Sequence, residues 1–559
     1  MKRTLYIVCA VIGLTAMTSC ENFLDTEDLT NKNTSNFPVS ENDLQQTLTG
    51  VYAVNTYNQG GPGRWMNTFQ FPEFIVDYSL PGGGIDDRQS RAFAHFKQYG
   101  ENNLSEMWRR FYMGIHRANY LFEHVNDVKW TKEEDKNKLL GQNYYLRAGF
   151  YFDLIRFFEN VPLILTSDVD PATPQADPHD VYQLIFSDYV KAIELMPAVP
   201  FKDVPKTDLG RTSKWAAEGM LARAYLFYSG VYGKSEIQLN DGSVLTKQRV
   251  IDYVDDCINN SSHNLLSDFR NLWPYSLVNK DYQYAVNNNL NWIGETGDNI
   301  ETVFAWKYSI YGANNHRNYC NGTNVLYGIR GQNFLPFGQG SGIGVVNPRL
   351  YEQWPDEDLR KKGTILNVMD PEEGISYKWN KNRNFIETGL FNKKYIPINV
   401  KDANNKLVNY SVVLYGAPQN FALNNTQDIV ILRFADILLM GAELGGPQAQ
   451  SYMDRVRNRV HLPSVPATLE NIKKERLYEL AYEGVRYYDL MRWGDLEKQI
   501  NTMKKDVPCK ITGKDATYTC TYRPETRGFF PIPEDEILLS KGVLKQNKGW
   551  DTPDALYQD

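Results

Sequence analysis

The stretch from Lys474 to Gly494 constrains the fold more than any other part of the sequence. Its apolar residues recur every three or four positions, which is the spacing of one face of an α-helix turned towards a core. These residues are Leu477, Leu480, Ala481, Gly484, Val485, Tyr488 and Met491. We therefore predict a single helix that packs against its neighbours and stops at Gly494, since glycine is the preferred residue after a helix C-terminus.

A charged stripe flanks the apolar face of this predicted helix. Its members are Glu475, Glu479, Glu483, Arg486, Asp489 and Arg492. Because these charges lie close to an apolar seam, they lose part of their hydration and need partners. We predict ion pairs to adjacent helices rather than an acid–base pair, since long helices carry such residues mainly for packing and pairing.

Three other helical segments share an internal echo, in which Arg-Ala is followed by aromatic residues. The echo begins at Arg117, Arg147 and Arg223, at intervals of 30 and 76 residues. The second interval is near twice a unit of about 34 to 38 residues, the period of tetratricopeptide-like helix pairs. A chance likeness among aromatic helices is the alternative. Helical spacing predicts helices over 107–125, 138–158, 181–196, 215–232, 249–258, 429–443 and 452–460.

The helical period is lost in two parts of the chain. Residues 57–104 form a long excursion that contains two glycine-rich runs. Residues 262–428 are rich in Asn, Gly and aromatic residues, and they are predicted to form short strands and ordered loops. Excursions this long within a compact domain are usually functional or disordered.

Several blocks of the sequence resemble one known family. The run ERLYELAYEGVRYYDLMRWG, residues 475–494, resembles the C-terminal helix motif of the SusD/RagB family, surface lipoproteins of Bacteroidetes. Further blocks resemble that family in the same order along the chain: 108–119, 145–163, 210–224, 356–360, 429–443, 452–460 and 530–550. The resemblance implies a mainly α fold, a SusD-like α/α superhelix of tetratricopeptide-like helix pairs with large loop and short-strand insertions.

The chain is predicted to fold as one large domain behind a processing signal. Residues 1–19 are interpreted as a lipoprotein signal peptide, 20–39 as a lipidated tether and 40–559 as a single SusD-like domain. Within that domain, 40–261 are N-terminal helical repeats, 262–428 a loop-rich ligand-binding insertion, 429–505 C-terminal helical repeats and 506–559 a tail with a hairpin.

The N-terminus has the layout of an export signal. Lys2 and Arg3 precede an apolar run, and Met17-Thr18-Ser19-Cys20 resembles a bacterial lipobox, so lipid attachment to Cys20 is predicted. An ordinary signal peptide with an incidental cysteine is the alternative. Cleavage removes two positive charges and takes the net charge from -7 to -9, which disfavours nucleic-acid binding. Because no membrane-spanning apolar run follows, contact with the membrane is expected through the lipid alone.

Four cysteines remain in the body of the protein. Cys509 and Cys520 bracket an alternating segment with a Gly-containing turn, so a cross-strand disulfide is predicted as possible. Export makes it chemically permissible. Cys257 and Cys320 are interpreted as free thiols.

Motifs for catalysis and cofactors are missing from the sequence. There is no HExxH, GxSxG, Walker loop or strand-linked GxGxxG, and no Cys/His cluster has zinc spacing. The single pair Asp86-Asp87 offers too few ligands for Ca2+. We therefore expect no catalytic residues, no metal and no cofactor.

Carbohydrate binding fits the composition better, since 13% of the residues are aromatic. A sugar ring stacks its C–H face on Trp or Tyr, and its hydroxyls bond planar amide or guanidinium groups. Two loop regions offer this mixture. The predicted glycan-binding residues are Trp65, Asp77, Tyr78 and Arg88 in the first, and Trp273, Trp292, Trp306, Tyr311, Asn314, Asn315 and Arg317 in the second. Burial of Trp306 in a strand and of Trp273 under the loop are the alternatives.

By resemblance, the protein is expected to be a lipid-anchored outer-membrane protein exposed at the cell surface. It would bind oligo- or polysaccharide and deliver it to a SusC-like TonB-dependent transporter. A peptide-binding, RagB-like member of the family and a glycoside hydrolase are the alternatives. The sequence of such a scaffold does not identify which glycan is bound.

Overall fold

The computed structural model describes residues 37–56, 69, 71–98, 104–294, 299–310, 320–381, 384–421 and 424–557. Within them the chain forms 18 α-helices and 15 short strands. The helices are α1 Glu41–Tyr52, α2 Arg88–Ala94, α3 Leu104–His124, α4 Glu133–Phe158, α5 Pro178–Leu195, α6 Lys214–Tyr232, α7 Lys247–Asn260, α8 Gln283–Asn287, α9 Gly322–Tyr327, α10 Pro348–Gln353, α11 Arg360–Thr364, α12 Tyr410–Tyr415, α13 Phe434–Leu444, α14 Ala449–Arg459, α15 Leu469–Leu480, α16 Arg486–Arg492, α17 Leu496–Met503 and α18 Glu534–Leu539.

The strands lie mainly between the two helical parts. They are β1 Ser79–Gly82, β2 Glu236–Gln238, β3 Val244–Thr246, β4 Thr302–Trp306, β5 Ile329–Arg330, β6 Gln339–Gly340, β7 Ile343–Val346, β8 Ile365–Asn367, β9 Ile386–Glu387, β10 Leu390–Asn392, β11 Asn399–Lys401, β12 Leu407–Asn409, β13 Ile429–Arg433, β14 Val507–Ile511 and β15 Lys514–Tyr518. Among the described residues they pair two by two, except for the three-stranded sheet β15–β14–β9. The mainly helical fold predicted from the sequence is confirmed.

Side-chain caps set the starts of several helices. Ser40 accepts a hydrogen bond from the backbone N–H of Asp43, whose carboxylate in turn accepts the N–H of Ser40, so α1 begins with a capping box. Ser213 caps α6 and Thr246 caps α7 in the same way, by accepting a backbone N–H three residues on. Polar side chains therefore satisfy the exposed N–H groups that each helix start leaves behind.

Successive long helices pack on one another from α3 to α7. The three echoed arginines each bind another helix, as a repeated structural unit predicts. Arg117 donates to the carbonyl of Gly50, Arg147 pairs with Asp188 on α5 at 2.8 Å, and Arg223 pairs with Asp436 on α13. Helix α13 packs against α7, α14 and α15, which joins the two helical parts into one core.

The segment 429–443, predicted as one helix, divides into a strand and a helix. Residues Ile429–Arg433 form β13, and α13 begins only at Phe434. Strand β13 pairs antiparallel with β4, with Ile429 opposite Trp306 and Leu432 opposite Phe304. The β-branched start of this segment favours an extended chain once a partner strand is available.

The predicted helix over 474–494 is wrong in its middle. Helix α15 ends at Leu480 and α16 starts at Arg486. Between them Tyr482 and Gly484 have positive φ angles of 66° and 74°. A Cβ atom at position 484 would lie 2.7 Å from the ring of Phe69. The predicted stop at Gly494 is confirmed, since its φ is 70° and its N–H bonds the carbonyl of Met491.

Residues of the first excursion, 57–104, stabilise this break between α15 and α16 through hydrogen bonds. The N–H of Gly484 donates to Glu73 at 2.7 Å, and the N–H of Tyr482 donates to the hydroxyl of Tyr78 at 3.0 Å. The Tyr78 hydroxyl itself donates to Glu73 at 2.5 Å. These buried bonds replace the hydrogen bonds that a continuous helix would have made.

The predicted disulfide is absent, although the hairpin that suggested it is present. Strands β14 and β15 pair so that Cys509 faces Ala516, while Cys520 lies two residues beyond β15. The thiol of Cys520 instead contacts the carbonyl of Ala94 at 2.9 Å. Within the described part of the chain, Cys257, Cys320, Cys509 and Cys520 form no disulfide bond. The register of the hairpin, which the sequence alone did not fix, keeps the two sulfurs apart.

The proposed division into segments stays a prediction. The signal peptide and Cys20 lie outside the described residues. Within the described part of the chain, no helix is both long and apolar enough to span a bilayer. The same part contains no cluster of His, Cys, Asp or Glu suited to a metal ion.

Candidate ligand-binding cleft

Two of the residues predicted to bind glycan in the first region are structural. Asp77 is 2% exposed and pairs with Arg486 at 2.9 Å. Tyr78 is fully buried at the helix break. Arg88 is half-buried at the start of α2. Asp77 and Tyr78 therefore fix the excursion to the C-terminal helices, and the proposal that they contact ligand is wrong.

In the second region, burial divides the three described tryptophans. Trp306 ends β4 and is 8% exposed, and Trp273 is 1% exposed with its ring edge-on to Tyr395. This burial favours the alternative in which both residues serve packing, although Trp273 also lines the cleft described below, and their contact with ligand stays a prediction. Trp292 is half-buried and lies edge-on to Tyr410, with ring centroids 5.3 Å apart. It is the one described candidate of this region with an accessible ring.

The remaining candidates fall outside the described residues. They are Trp65, Tyr311, Asn314, Asn315 and Arg317. Their role stays a prediction.

A cleft of about 400 Å³ brings together five separate parts of the described chain. These parts are the connection between α5 and α6, residues 272–274 and 292–294, strand β4 and residues 427–430 beside and within β13. Six aromatic rings line it: Phe201, Trp215, His263, Trp273, Trp292 and Phe304. A concave, mostly apolar site with a few polar groups is the usual form of a small-ligand pocket.

The aromatic rings on the cleft wall are held rigidly. The indole N–H of Trp215 donates to the carbonyl of Val199 at 2.7 Å, which ties α6 to its preceding connection. The ring of His263 stacks on Phe201 with centroids 4.6 Å apart, and its Nδ1 lies 2.9 Å from the carbonyl oxygen of Ile300. Burial lowers the pKa of His263 to about 4, so the ring is uncharged at neutral pH.

Charged groups also line the cleft, and most of them pair with each other. Lys138 and Asp208 form an ion pair at 2.6 Å. Lys307 pairs with Asp428 next to β13. Burial raises the pKa of Asp428, and the neighbouring Lys307 opposes that shift. These pairs leave the cleft polar at its rim without a large local charge.

Sequence reasoning found Trp273 and Trp292 but missed the connection 196–213 altogether. This connection carries Phe201, Asp203, Asp208 and Arg211 into the cleft. Its prolines at 197, 200 and 205 marked a break between helices, which is a weak signal for a site. Only the packing of the connection against β4 shows that it faces a cavity.

A buried network of ion pairs connects the two strands, β4 and β13, that form part of the cleft wall. Arg433 at the end of β13 binds Glu301, Glu479 and Glu483 at 2.8, 2.5 and 2.6 Å. Glu301 directly precedes β4, and its carbonyl accepts the N–H of Phe434 at 2.8 Å. Arg433 thereby locks β4 and β13 together, and both strands line the cleft.

The other members of the charged stripe complete this network. Glu479 also binds Arg459 and Arg360, Glu475 binds Arg360 and Arg457, and Glu483 binds Lys394. Arg476, Asp489 and Arg492 join α13 to the last helices through Asp436 and Glu443. The predicted pairing of the charged stripe is confirmed, but its partners lie on strand β13 and in loops as well as on the adjacent helices that were predicted. Its carboxylates are engaged in structure and lie away from the cleft lining.

Two protein-family models together match most of the length of the chain. The model described as the SusD family matches residues 274–550, and a model described as starch-binding associating with outer membrane matches residues 22–226. The chain is 24% identical over 482 residues to SusD-like protein P2 of Formosa agariphila, which covers 80% of this chain and 83% of that relative. It is 24% identical to a SusD-like protein of Bacteroides ovatus, with 88% of this chain and 83% of the relative aligned.

Solved structures agree with these sequence matches. A structure titled laminarin binding SusD-like protein is 26% identical and superimposes with a TM-score of 0.71 over 91% of this chain and 100% of its own. Surface glycan-binding protein A from Bacteroides thetaiotaomicron, in complex with laminarihexaose, is 20% identical, with a TM-score of 0.70 and the same coverage of both chains. Two family models covering complementary parts of the sequence, together with relatives that align along most of its length, establish that the chain belongs to the SusD family.

Proposed function

We propose that this protein captures a glycan at the cell surface and holds it, without cutting it, in the cleft behind Trp292. The observation that carries the proposal is the half-buried ring of Trp292 at a cleft of about 400 Å³ that five further aromatic side chains also line. A pyranose ring stacks its C–H face on such an indole. The names of the structural relatives, which include laminarin and laminarihexaose binders, support a carbohydrate ligand.

Polar groups at the cleft rim suit the hydroxyl groups of a sugar. Arg211 offers a half-buried guanidinium with several N–H donors, and Asp203 offers an exposed carboxylate. Both lie on the connection between α5 and α6, whereas Trp292 comes from a separate part of the chain. Stacking on Trp292 together with hydrogen bonds to the connection would orient a single sugar unit.

Capture without cleavage is the second part of the proposal. Two of the three described carboxylates that line the cleft, Asp208 and Asp428, are already paired with lysines. A glycoside hydrolase needs one carboxyl group as acid and a second as base or nucleophile, facing each other across the bond that breaks. We expect purified protein to release no reducing sugar from any glycan that it binds. Release above the background of a heat-denatured sample would overturn this part.

The site of action belongs to the proposal as well. A lipid on Cys20 would anchor the protein to the outer membrane, and a SusC-like TonB-dependent transporter would receive the glycan. The lipobox-like residues 17–20 and the family description that mentions the outer membrane support this placement. Globomycin, which blocks lipoprotein signal peptidase, should leave an uncleaved precursor. Co-purification of the transporter with the tagged full-length protein tests the partnership.

Binding by the soluble form, residues 21–559, tests the proposal directly. The protein is screened in native gels that contain single polysaccharides, with laminarin included, and positive cases are measured by calorimetry. Trp292→Ala should weaken binding by about tenfold or more, since one stacked ring contributes on the order of 1–2 kcal/mol.

The chain offers a matched control for this substitution. Trp379 is also half-buried, and its ring lies edge-on to Tyr377 with centroids 5.3 Å apart, outside the cleft lining. Trp379→Ala should leave the affinity unchanged. Equal affinity of Trp292→Ala and the unmodified protein would rule out the cleft as the binding site. Failure of the unmodified protein to bind any glycan, while it binds peptides, would favour the peptide-binding alternative.

A further inference from the structure

We infer that the cleft is built for an uncharged glycan and discriminates against sulfated or uronate-rich chains. This inference rests on the proposed function, because it concerns the ligand of the same cleft. It goes further by assigning the chemical class of that ligand. The argument depends on how the charges of the cleft are distributed among the described residues.

Charges of the two signs are equal in number on the described cleft wall. Three side chains are cationic, namely Lys138, Arg211 and Lys307, and three are carboxylates, namely Asp203, Asp208 and Asp428. His263, which also faces the cleft, is held by stacking on Phe201 and by the carbonyl of Ile300. A site for polyanions instead shows a clear excess of Lys and Arg.

Both lysines of the cleft are already neutralised. Lys138 lies 2.6 Å from Asp208, and Lys307 contacts Asp428 directly. A sulfate or uronate that took either lysine would leave the partner carboxylate without its counter-ion. For Asp428, which is 8% exposed, this loss is costly, because a buried charge deprived of its partner keeps the penalty of its lost hydration.

Outside these two pairs, the described cleft lining contains one cation, Arg211, and one carboxylate, Asp203. Arg211 contacts the amide oxygen of Gln142 at 3.5 Å and forms no ion pair within the described part of the chain. Asp203, on the same connection, is exposed and repels an approaching anion. The whole chain adds to this effect, since its net charge of -7 disfavours the approach of a polyanion from solution. Arg211 therefore serves best as a hydrogen-bond donor to neutral hydroxyl groups.

Matched neutral and sulfated ligands test the inference. The neutral polysaccharide that binds best in the screen is sulfated chemically, and both forms are titrated against residues 21–559. We expect the sulfated form to bind at least about tenfold more weakly. Affinity for the neutral form should change less than about twofold between roughly 50 and 500 mM NaCl, because screening acts only on charge–charge attraction.

A gain of binding provides the sharper measurement. Asp208→Asn leaves Lys138 without its carboxylate, so affinity for the sulfated form should rise about three- to tenfold and become salt-dependent. The control is Asp495→Asn, because Asp495 pairs with Lys473 at the same 2.6 Å but outside the cleft lining. It should leave binding of both forms unchanged. Melting temperatures of both variants show whether they fold.

The possible outcomes separate this inference from the proposed function. Preference for a uronate or a sulfated glycan in the screen, or equal binding of the neutral and sulfated forms, overturns the inference and leaves glycan capture standing. A rise in affinity for the sulfated form in Asp495→Asn as large as in Asp208→Asn also overturns it, because the effect would then be one of net charge. Absence of any glycan binding removes both.

Discussion

The buried ion network and the cleft both contain arginines, but the N–H donors of these arginines have different partners in the two regions. In the network, Arg433 is 1% exposed and reaches three carboxylates within 2.8 Å. In the cleft, Arg211 is half-buried and its guanidinium donates to the neutral amide oxygen of Gln142 at 3.5 Å. An arginine that is saturated by protein partners contributes rigidity, whereas one with unused donors is able to bind a ligand.

Carboxylates show the same contrast within the helical frame. Burial by itself would raise the pKa of Glu479, but Arg459, Arg433 and Arg360 together hold it well below its ordinary value. Glu218 on α6 is equally buried, and burial raises its pKa to about 9. Its cation, Lys214, is 3.5 Å away and is held closer, at 2.5 Å, by Asp256. Burial alone therefore does not decide the ionisation state, because the number of close cations does.

Removal of the central arginine is expected to have the largest effect. Arg433→Met leaves Glu301, Glu479 and Glu483 without their shared partner, which should cost about 3–5 kcal/mol of stability. Thermal and urea unfolding measure this loss. Because Arg433 also locks β4 to β13, any folded fraction should bind glycan more weakly.

A surface pair provides the control for this variant. Lys191 and Glu194 pair at 2.9 Å, and both side chains are 45% exposed. Lys191→Ala should leave the melting temperature unchanged within error. A loss of the same size in both variants would contradict the contrast between buried and exposed charge pairs.

Substitution at the helix break comes second. Gly484→Ala places a methyl group 2.7 Å from Phe69 in a backbone conformation with φ of 74°, so we expect a loss of about 2–4 kcal/mol. Gly416 has a similar φ of 69° but no atom within 4 Å of its Cβ position. Gly416→Ala should therefore cost only about 1 kcal/mol, and unfolding curves of the two variants separate strain from collision. Equal losses would mean that the close approach of Phe69 is unimportant.

Glu218→Gln is expected to stabilise the protein, with an effect that grows with pH. Between pH 4.5 and 9 the unfolded chain has released the Glu218 proton while the folded protein keeps it, so stability falls as pH rises through this window. Glutamine removes that slope. We expect the melting temperature to rise by about 1–3 °C at pH 8 and by less at pH 5. Glu194→Gln, at an exposed site, should show no such trend, and a pH-independent gain in Glu218→Gln would contradict the assigned pKa.

The smallest effect on stability is expected in the cleft itself. Trp292 is half-buried, so Trp292→Ala should lower the melting temperature by no more than about 2 °C while it weakens glycan binding by about tenfold or more. A melting temperature many degrees lower would mean that Trp292 supports the fold, and its loss of binding would then carry no information on the cleft. The matched Trp379→Ala variant calibrates that comparison.

Much of the frame follows from local patterns. Periodic apolar residues predicted the helices from α3 to α7 with bounds close to those observed. The position of the charged stripe beside an apolar seam predicted that its side chains form ion pairs. The strand β13 and the break at Tyr482 and Gly484 could not be read in the same way. Both depend on partners that are distant in sequence, namely β4 for the strand and Glu73 and Tyr78 for the break.

The candidate site was less predictable than the frame. Composition identified tryptophan-rich loops, but Trp273 and Trp306 are buried and only the ring of Trp292 is accessible among the described candidates of the second region. Asp77 and Tyr78 satisfied the same chemical criteria as a sugar-binding pair and proved to be structural. Exposure of a side chain is a property of everything that packs around it, so residue type alone does not reveal it.

The sequence by itself determined the helical frame and the presence of a buried charged seam, because these depend on spacing along one segment of chain. The family was identified by resemblance of several motif blocks in order along the chain. Tertiary structure alone decided where the cleft lies, which of its tryptophan rings stays accessible and which charges are paired before a ligand arrives. The physical reason is that helix periodicity is a local property, whereas burial and ion pairing depend on residues brought together from distant parts of the chain.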